Sequence, residues 1–190
     1  MNERENALHL IMHDEKAQWI PSFAVCLEMV IPTDVIRERP AMDEGNGYDY
    51  FECWWEFDPM IMGASPLPGR QPCNDITKWK KQVSFPNPEN LDWIRAEEQA
   101  AQFDRENKHS MIFWESCPWE RLHALIGFQE ALEALYEEPE AFKELMQAIT
   151  DFKVAMVSKI KNTIILISPV SSTTLVTKTL PSCPIKCFRK

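Results

Sequence analysis

The sequence predicts an α/β fold built on a parallel sheet, and three observations carry that prediction. Short apolar runs of extended character alternate along the chain with segments of helical pattern, the arrangement of strand–helix–strand units. One long segment, residues 139–160, places Phe142, Leu145, Met146, Ile149, Phe152, Met156 and Ile160 at steps of three and four, the stripe of an amphipathic helix. The 190 residues are 45% hydrophobic and 11% aromatic, enough apolar surface to fill one sizeable core.

The elements follow in order. Asn2 caps a first helix, with Glu3 and Glu5 in the opening turn where the helix dipole favours them. Ala7, Leu8, Ile11 and Met12 fall at helical spacing, and the helix ends near Asp14. Trp19–Val25 reads as a first strand, residues 27–38 as a short helix and 39–47 as a loop. The aromatic run Tyr50–Phe57 reads as a second strand. Gly63, Pro66, Pro68 and Gly69 make Pro59–Pro72 a loop. Asn74 caps a short helix, and Phe85–Pro88 breaks the chain. Asn90 opens a helix that runs to about Glu106.

Ser110–Trp114 is a compact apolar run, a buried strand, followed by a turn at Glu115–Cys117. Pro118 suits the first turn of the next helix, where its missing N–H costs nothing. Gly127 marks a break, Phe128–Glu137 forms another helix, and Pro139 starts the longest one. No internal repeat is present. Neither a GxGxxG nor a GxxxxGK loop is present, so a nucleotide site has no support.

A net charge of −9 argues against a nucleic-acid partner, since such binding runs on a basic surface. The first sixteen residues read as neither a signal peptide nor a transit peptide, and IILI, the longest apolar run of the tail, is too short to span a bilayer. The expected location is cytoplasmic, with no membrane partner. The six cysteines show no framework spacing and are expected as reduced thiols. His9 and His13 stand at i, i+4 on one helix, a spacing that can bind metal. No third ligand lies nearby, so neither a metal nor another cofactor is assigned.

The stretch WESCPWERLHALIGFQEALEALYEEPEAFKELMQAITDF, from Trp114 to Phe152, resembles the uroporphyrinogen decarboxylase-like family. That family carries G-F-x-x-A-L-x-x-L-Y-x-x-P-E and then a long helix ending I-T-D. ERENAL ahead of Ile20–Pro21, and GYDYFECWW ahead of DITKWKKQVSFPNPENLDW, resemble its earlier parts. The resemblance runs in order over residues 3–160. It implies the N-terminal portion of a (β/α)8 barrel, and such a barrel needs about 250 residues. The barrel is therefore expected to be incomplete, with about three strands.

The last thirty residues differ in character. Residues 1–160 hold all 29 Asp and Glu against 15 Lys and Arg, a net charge of −14, whereas residues 161–190 hold five cations and no acid. Joining the third base of each codon to the first two of the next permits the tail to read K-Y-Y-H-P-D-F-T-C-F-F-D-D-F-G-H-K-N-A-P-F-M-S-H-Q-M-F. The resemblance leads one to expect that lead-in, apolar strand, D-D-x-G and P-F-M-S after the long helix. The expected organisation is a partial barrel over 1–160 and an aberrant, frameshifted tail over 161–190.

The resemblance implies a site at the C-terminal ends of the strands. Glu28, Trp55, Glu56, Asp58, Glu115 and Ser116 are the candidates there. Glu115 and Asp58 are the carboxylates expected to act as acid or base, and the others to hold a small-molecule substrate. Glu56 and Asp58 also read as solvated loop residues, and Glu115 as a cap for the helix at Pro118. Trp54 and Trp55 face opposite ways if extended, one into the core and one outward as a platform. The family's decarboxylases bind their tetracarboxylate through arginines in R-Q-A-G-R after the first strand. Here that stretch is FAVCLEM, without arginine.

The intact relative is thus expected to be an enzyme, a carboxy-lyase or a corrinoid-linked methyltransferase, with this chain inactive as it stands. The methyltransferases use a zinc thiolate site built late in the barrel. A non-enzymatic α/β binding module complete at 190 residues is the alternative from another class. The sequence does not give the oligomeric state.

Overall fold

A computed structural model describes residues 1–30, 38–40, 45–112, 116–165 and 175–176. Helix α1, Glu3–Met12, opens on a reciprocal cap. The Glu5 amide donates to Asn2 Oδ1 at 2.9 Å, and the Asn2 amide donates to Glu5 Oε2 at 3.1 Å. It closes at His13, which turns left-handed at φ 53°.

The expected strand at Trp19–Val25 is not formed. Asn6, fully buried, takes over the hydrogen bonding of that backbone. Its amide donates to the Trp19 carbonyl at 2.8 Å, and its oxygen accepts from the Gln18 amide at 2.7 Å. Pro21 lacks a ladder donor. The Ser22 carbonyl then accepts from the amides of Val25 and Cys26, winding α2, Phe23–Cys26. The strand comes next, β1 at Leu27–Val30, where a helix over 27–38 was expected. Residues 31–37 and 41–44 of that helix and loop lie outside the described residues.

β1 pairs in parallel with β5, His109–Ile112, in the register Leu27↔His109 to Val30↔Ile112. Leu175–Val176, β6, adds to the other side of β5, also in parallel. The sheet order is β1-β5-β6, and the sheet does not close into a barrel. The expected parallel sheet is therefore present, but short.

The second expected strand belongs elsewhere. β3, Trp54–Asp58, pairs antiparallel with β2, Gly47–Tyr48, and with β4, Gly63–Pro66. Two causes fix this arrangement. Asp49 closes a tight turn ahead of β3, its Oδ1 accepting from the amides of Phe51 and Cys53, both at 2.9 Å. Four residues past β3, the chain reverses at once into β4. Part of the expected loop 59–72 is thus strand, since Ala64 and Ser65 pair with Phe57 and Glu56 despite the flanking Gly and Pro. Between this sheet and β5 come α3, Trp79–Gln82, and α4, Ile94–Ala101. The latter is shorter than expected at both ends, since residues 88–90 form a separate 3-10 turn and the helix closes at Gln102.

The helices after β5 follow the sequence closely. α5 spans Pro118–Ile126, α6 Phe128–Glu137 and α7 Pro139–Ile160. Gly127 separates the first two at φ 102°, and a Cβ there would meet the Glu130 carboxylate at 2.0 Å. The main core lies between α5, α6, α7 and the aromatic segment before β3. Leu122, Leu125, Leu145, Ile149, Met156 and Ile160 are fully buried. Phe51 packs edge-on to Phe152 at 5.3 Å and to Phe85 at 5.8 Å. Ala7, Cys26, Leu27 and Met111 form a smaller core beneath β1 and β5.

Ile149→Ala empties the centre of the main core. It should lower unfolding free energy by roughly 2–5 kcal/mol, whereas Val154→Ala, on the outer face of the same helix, should change it by no more than about 0.5 kcal/mol. Urea titration followed by circular dichroism measures both.

Candidate functional site

The aromatic segment around β3 and the helices after β5 meet over a cluster of buried charge. Arg121, in the first half of α5, is fully buried. Its Nη1 donates to Asp49 Oδ2 at 2.6 Å, and its Nη2 donates to the Glu38 carbonyl at 2.6 Å. Its guanidinium carbon lies 4.2 Å from the centre of the Phe51 ring. Trp55 Nε1 donates to the same Asp49 Oδ2 at 2.9 Å. With the two amides on Oδ1, Asp49 accepts four hydrogen bonds. Lys153, on α7, donates to both oxygens of Glu38 at 2.8 and 2.9 Å.

Burial decides the titration here. Burial holds Lys153 down at about 8, against the opposing pull of Glu38 and Cys117, and nearby Arg121 lowers it further. Burial also raises the Cys53 thiol far above its ordinary value, and the Asp49 carboxylate pushes the same way. Cys53 is therefore a protonated packing residue, with no thiolate for chemistry. The arrangement is strong and closed. It binds the segment carrying Glu38 and Asp49 to α5 and α7, and the carboxylate at its centre is fully engaged.

The residues singled out in the sequence are not gathered in one place. Glu28 lies in β1 and pairs with Lys108 at 3.0 Å. Lys108 immediately precedes β5, so that pair sits toward the N-terminal ends of the strands, opposite the end where barrel enzymes work. Trp55 is 8% exposed and anchored to Asp49, so Trp54 supplies the outward ring of the two. Tyr48 meets Trp54 edge-on at 4.8 Å, and the Arg70 guanidinium lies 5.4 Å from its ring. Glu56 and Asp58 are exposed on the antiparallel sheet, not at the end of a parallel strand. Asp58 accepts from the Met60 amide at 2.7 Å and shapes the hairpin turn.

Ser116 is half-buried between β5 and α5. Of all six candidates it is the one described residue that follows the C-terminal end of a parallel strand. Glu115 lies outside the described residues. His9 Nδ1 faces Asp14 Oδ2 at 2.6 Å, while His13 has already left the helix, so the two do not share a helical face. Among the described residues, no group of three or more His, Cys, Asp or Glu side chains could hold a metal ion. No helix among them is long and apolar enough to cross a membrane.

Sequence reasoning passed over Arg121, Asp49, Glu38 and Lys153. A signal existed for two of them. Arg121 interrupts the apolar pattern of PWERLHALI, and Asp49 sits inside an aromatic run; a charge placed so requires a buried partner. Comparison with family models, with curated proteins and with solved structures returns no match for this chain.

Arg121→Met leaves Asp49 buried without its cation and should cost roughly 3–5 kcal/mol of stability. Denaturant titration reads this directly, and a loss under about 1 kcal/mol would refute the keystone role. The depressed Lys153 sets a second expectation. Between about 8 and its ordinary 10.5 the unfolded chain holds a proton that the folded chain has lost, so this group adds stability as pH rises through that window. The stability of the wild type relative to Lys153→Met should therefore rise from pH 7.5 to pH 10.5, by no more than about 3 kcal/mol. Parallel stability curves for the two proteins would rule it out.

Proposed function

We propose that this chain is the opening part of a uroporphyrinogen decarboxylase-like barrel protein, inactive as it stands, whose intact relative is a carboxy-lyase-type enzyme acting on a small-molecule substrate. The observation that carries this reading is the parallel pairing of β1 with β5, in the register Leu27↔His109 to Val30↔Ile112, with three helices following β5. A βα barrel begins in this way. Ser116 and Glu115, after β5, are the residues this part of the chain contributes on that reading.

The tail supports it from a different direction. In the shifted frame the apolar run F-T-C-F-F falls across the codons for residues 167–172, and D-D-x-G follows at once. In the chain as it stands Leu175–Val176 is the described part of the tail that lies beside β5, as a two-residue strand. The shifted frame thus permits an apolar strand followed by D-D-x-G at the point where the resemblance leads one to expect them. The absence of arginine in FAVCLEM weighs against a porphyrinogen as substrate and leaves a corrinoid-dependent methyltransferase as the second family reading. A self-contained binding module is favoured by one observation, the complete hydrogen bonding of Asp49, which leaves that network without an open catalytic group.

The deciding experiment is a fresh read of the gene from the codon of Ile160 through that of Lys190 and well beyond. One base gained or lost, with the frame reopening into D-D-x-G and further strand–helix units, is the expected result. The restored protein is then assayed for decarboxylation and for methyl transfer. A frame confirmed as written, together with a monomeric chain that melts in one sharp transition, would sink the barrel reading and favour the binding module.

A further inference from the structure

Helix α6 leaves one apolar face exposed. Ala131 and Ala134 are buried against the neighbouring helices. Phe128, Leu132 and Tyr136 stand four residues apart, one above the other along the helix, and are 60%, 44% and 88% exposed. The stripe continues onto α5, where Trp119 and His123 meet Phe128 edge-on, with ring centres 6.2 and 5.5 Å away. Three large apolar side chains in a row, joined to an aromatic cluster, form a contiguous patch of the kind monomeric proteins seldom leave bare.

The charge beside the stripe is predominantly acidic. Glu133 and Glu137 each follow a stripe residue by one position, which sets them in a row along its edge. Glu130 and Glu138 are exposed nearby, and Glu140 is paired with Lys143 at 2.8 Å. From residue 122 to residue 142 there is no Lys or Arg. A second copy of this chain seated on the stripe would bring two acidic rows together, and an anionic membrane surface would be repelled. A helix with apolar residues at i and i+4 and cations along one edge satisfies both the stripe and the row. We infer that the Phe128–Leu132–Tyr136 face of α6 is a docking site for a basic amphipathic helix of a partner protein. This does not rest on the chemistry of the intact relative, since none of the candidate site residues belongs to the face.

The test uses the full 190-residue chain and two fluorescently labelled helical peptides, one of leucine and lysine, the other of leucine and glutamate. Anisotropy should rise on titration of the lysine peptide alone. Leu132→Ser should weaken that binding about tenfold, and so should the pair Glu133→Lys with Glu137→Lys. The pair Glu97→Lys with Glu98→Lys, on α4, makes the same change in net charge and should leave binding within about twofold of wild type. Each variant's circular dichroism melt establishes that it is folded. Equal weakening by both charge-reversed pairs reduces the effect to net charge and overturns the inference. Binding untouched by Leu132→Ser overturns it as well, and a dimer that Leu132→Ser dissociates assigns the face to self-association instead.

Discussion

The ion pair between Arg121 and Asp49 is the interaction on which the rest of the structure depends. A guanidinium with no exposure is unfavourable by several kcal/mol unless its charge and donors are met. Asp49 meets the charge and the Nη1 donor, the Glu38 carbonyl takes the Nη2 donor and the Phe51 ring covers one face, while Nε makes no hydrogen bond among the described residues. The same Asp49 turns the backbone into β3 and orients the Trp55 indole. The antiparallel sheet, the aromatic core and the helices α5 and α7 therefore share one point of attachment. Leu122 and Leu125, on the same helix as Arg121, bury the apolar side of that junction, so hydrophobic packing and charge pairing specify one arrangement.

This junction also separates what fixes the architecture from what could carry chemistry. Side chains with every donor and acceptor engaged, such as Asp49, hold the chain in place. Ser116 follows the C-terminal end of a parallel strand and is half-buried. Among the described residues, β1 and β5 are the parallel strands joined by more than a two-residue ladder.

The helical half of the fold was legible in the sequence. Pro118, Gly127 and Pro139 mark the starts and breaks of three helices, and the spacing from Phe142 to Ile160 leaves no other reading. The strands were less so. WIPSFAV and LEMV are both short apolar runs, and only Asn6, thirteen residues before Trp19, decides that the first is clamped as loop while the second pairs with β5. Alternation of strand and helix predicted a parallel sheet, and β1, β5 and β6 form one. It could not reveal that β3 turns back on its immediate neighbours, which rests on the local turn at Asp49. Of the candidate site, Ser116 was placed from its turn position, whereas the partners of Arg121 and Lys153 lie 72 and 115 residues away, beyond any local pattern.

That separation has a consequence for the order in which the protein is made. Asp49 leaves the ribosome 72 residues ahead of its arginine, which at about 5–20 residues per second is a wait of roughly 4–14 s. Throughout that interval the Tyr48–Phe57 segment, rich in aromatic side chains, has neither its cation nor the helices that cover it. Uncovered aromatic surface of this kind is prone to non-native association, and the vulnerable period closes fully only when Phe152 of α7 emerges to cover Phe51.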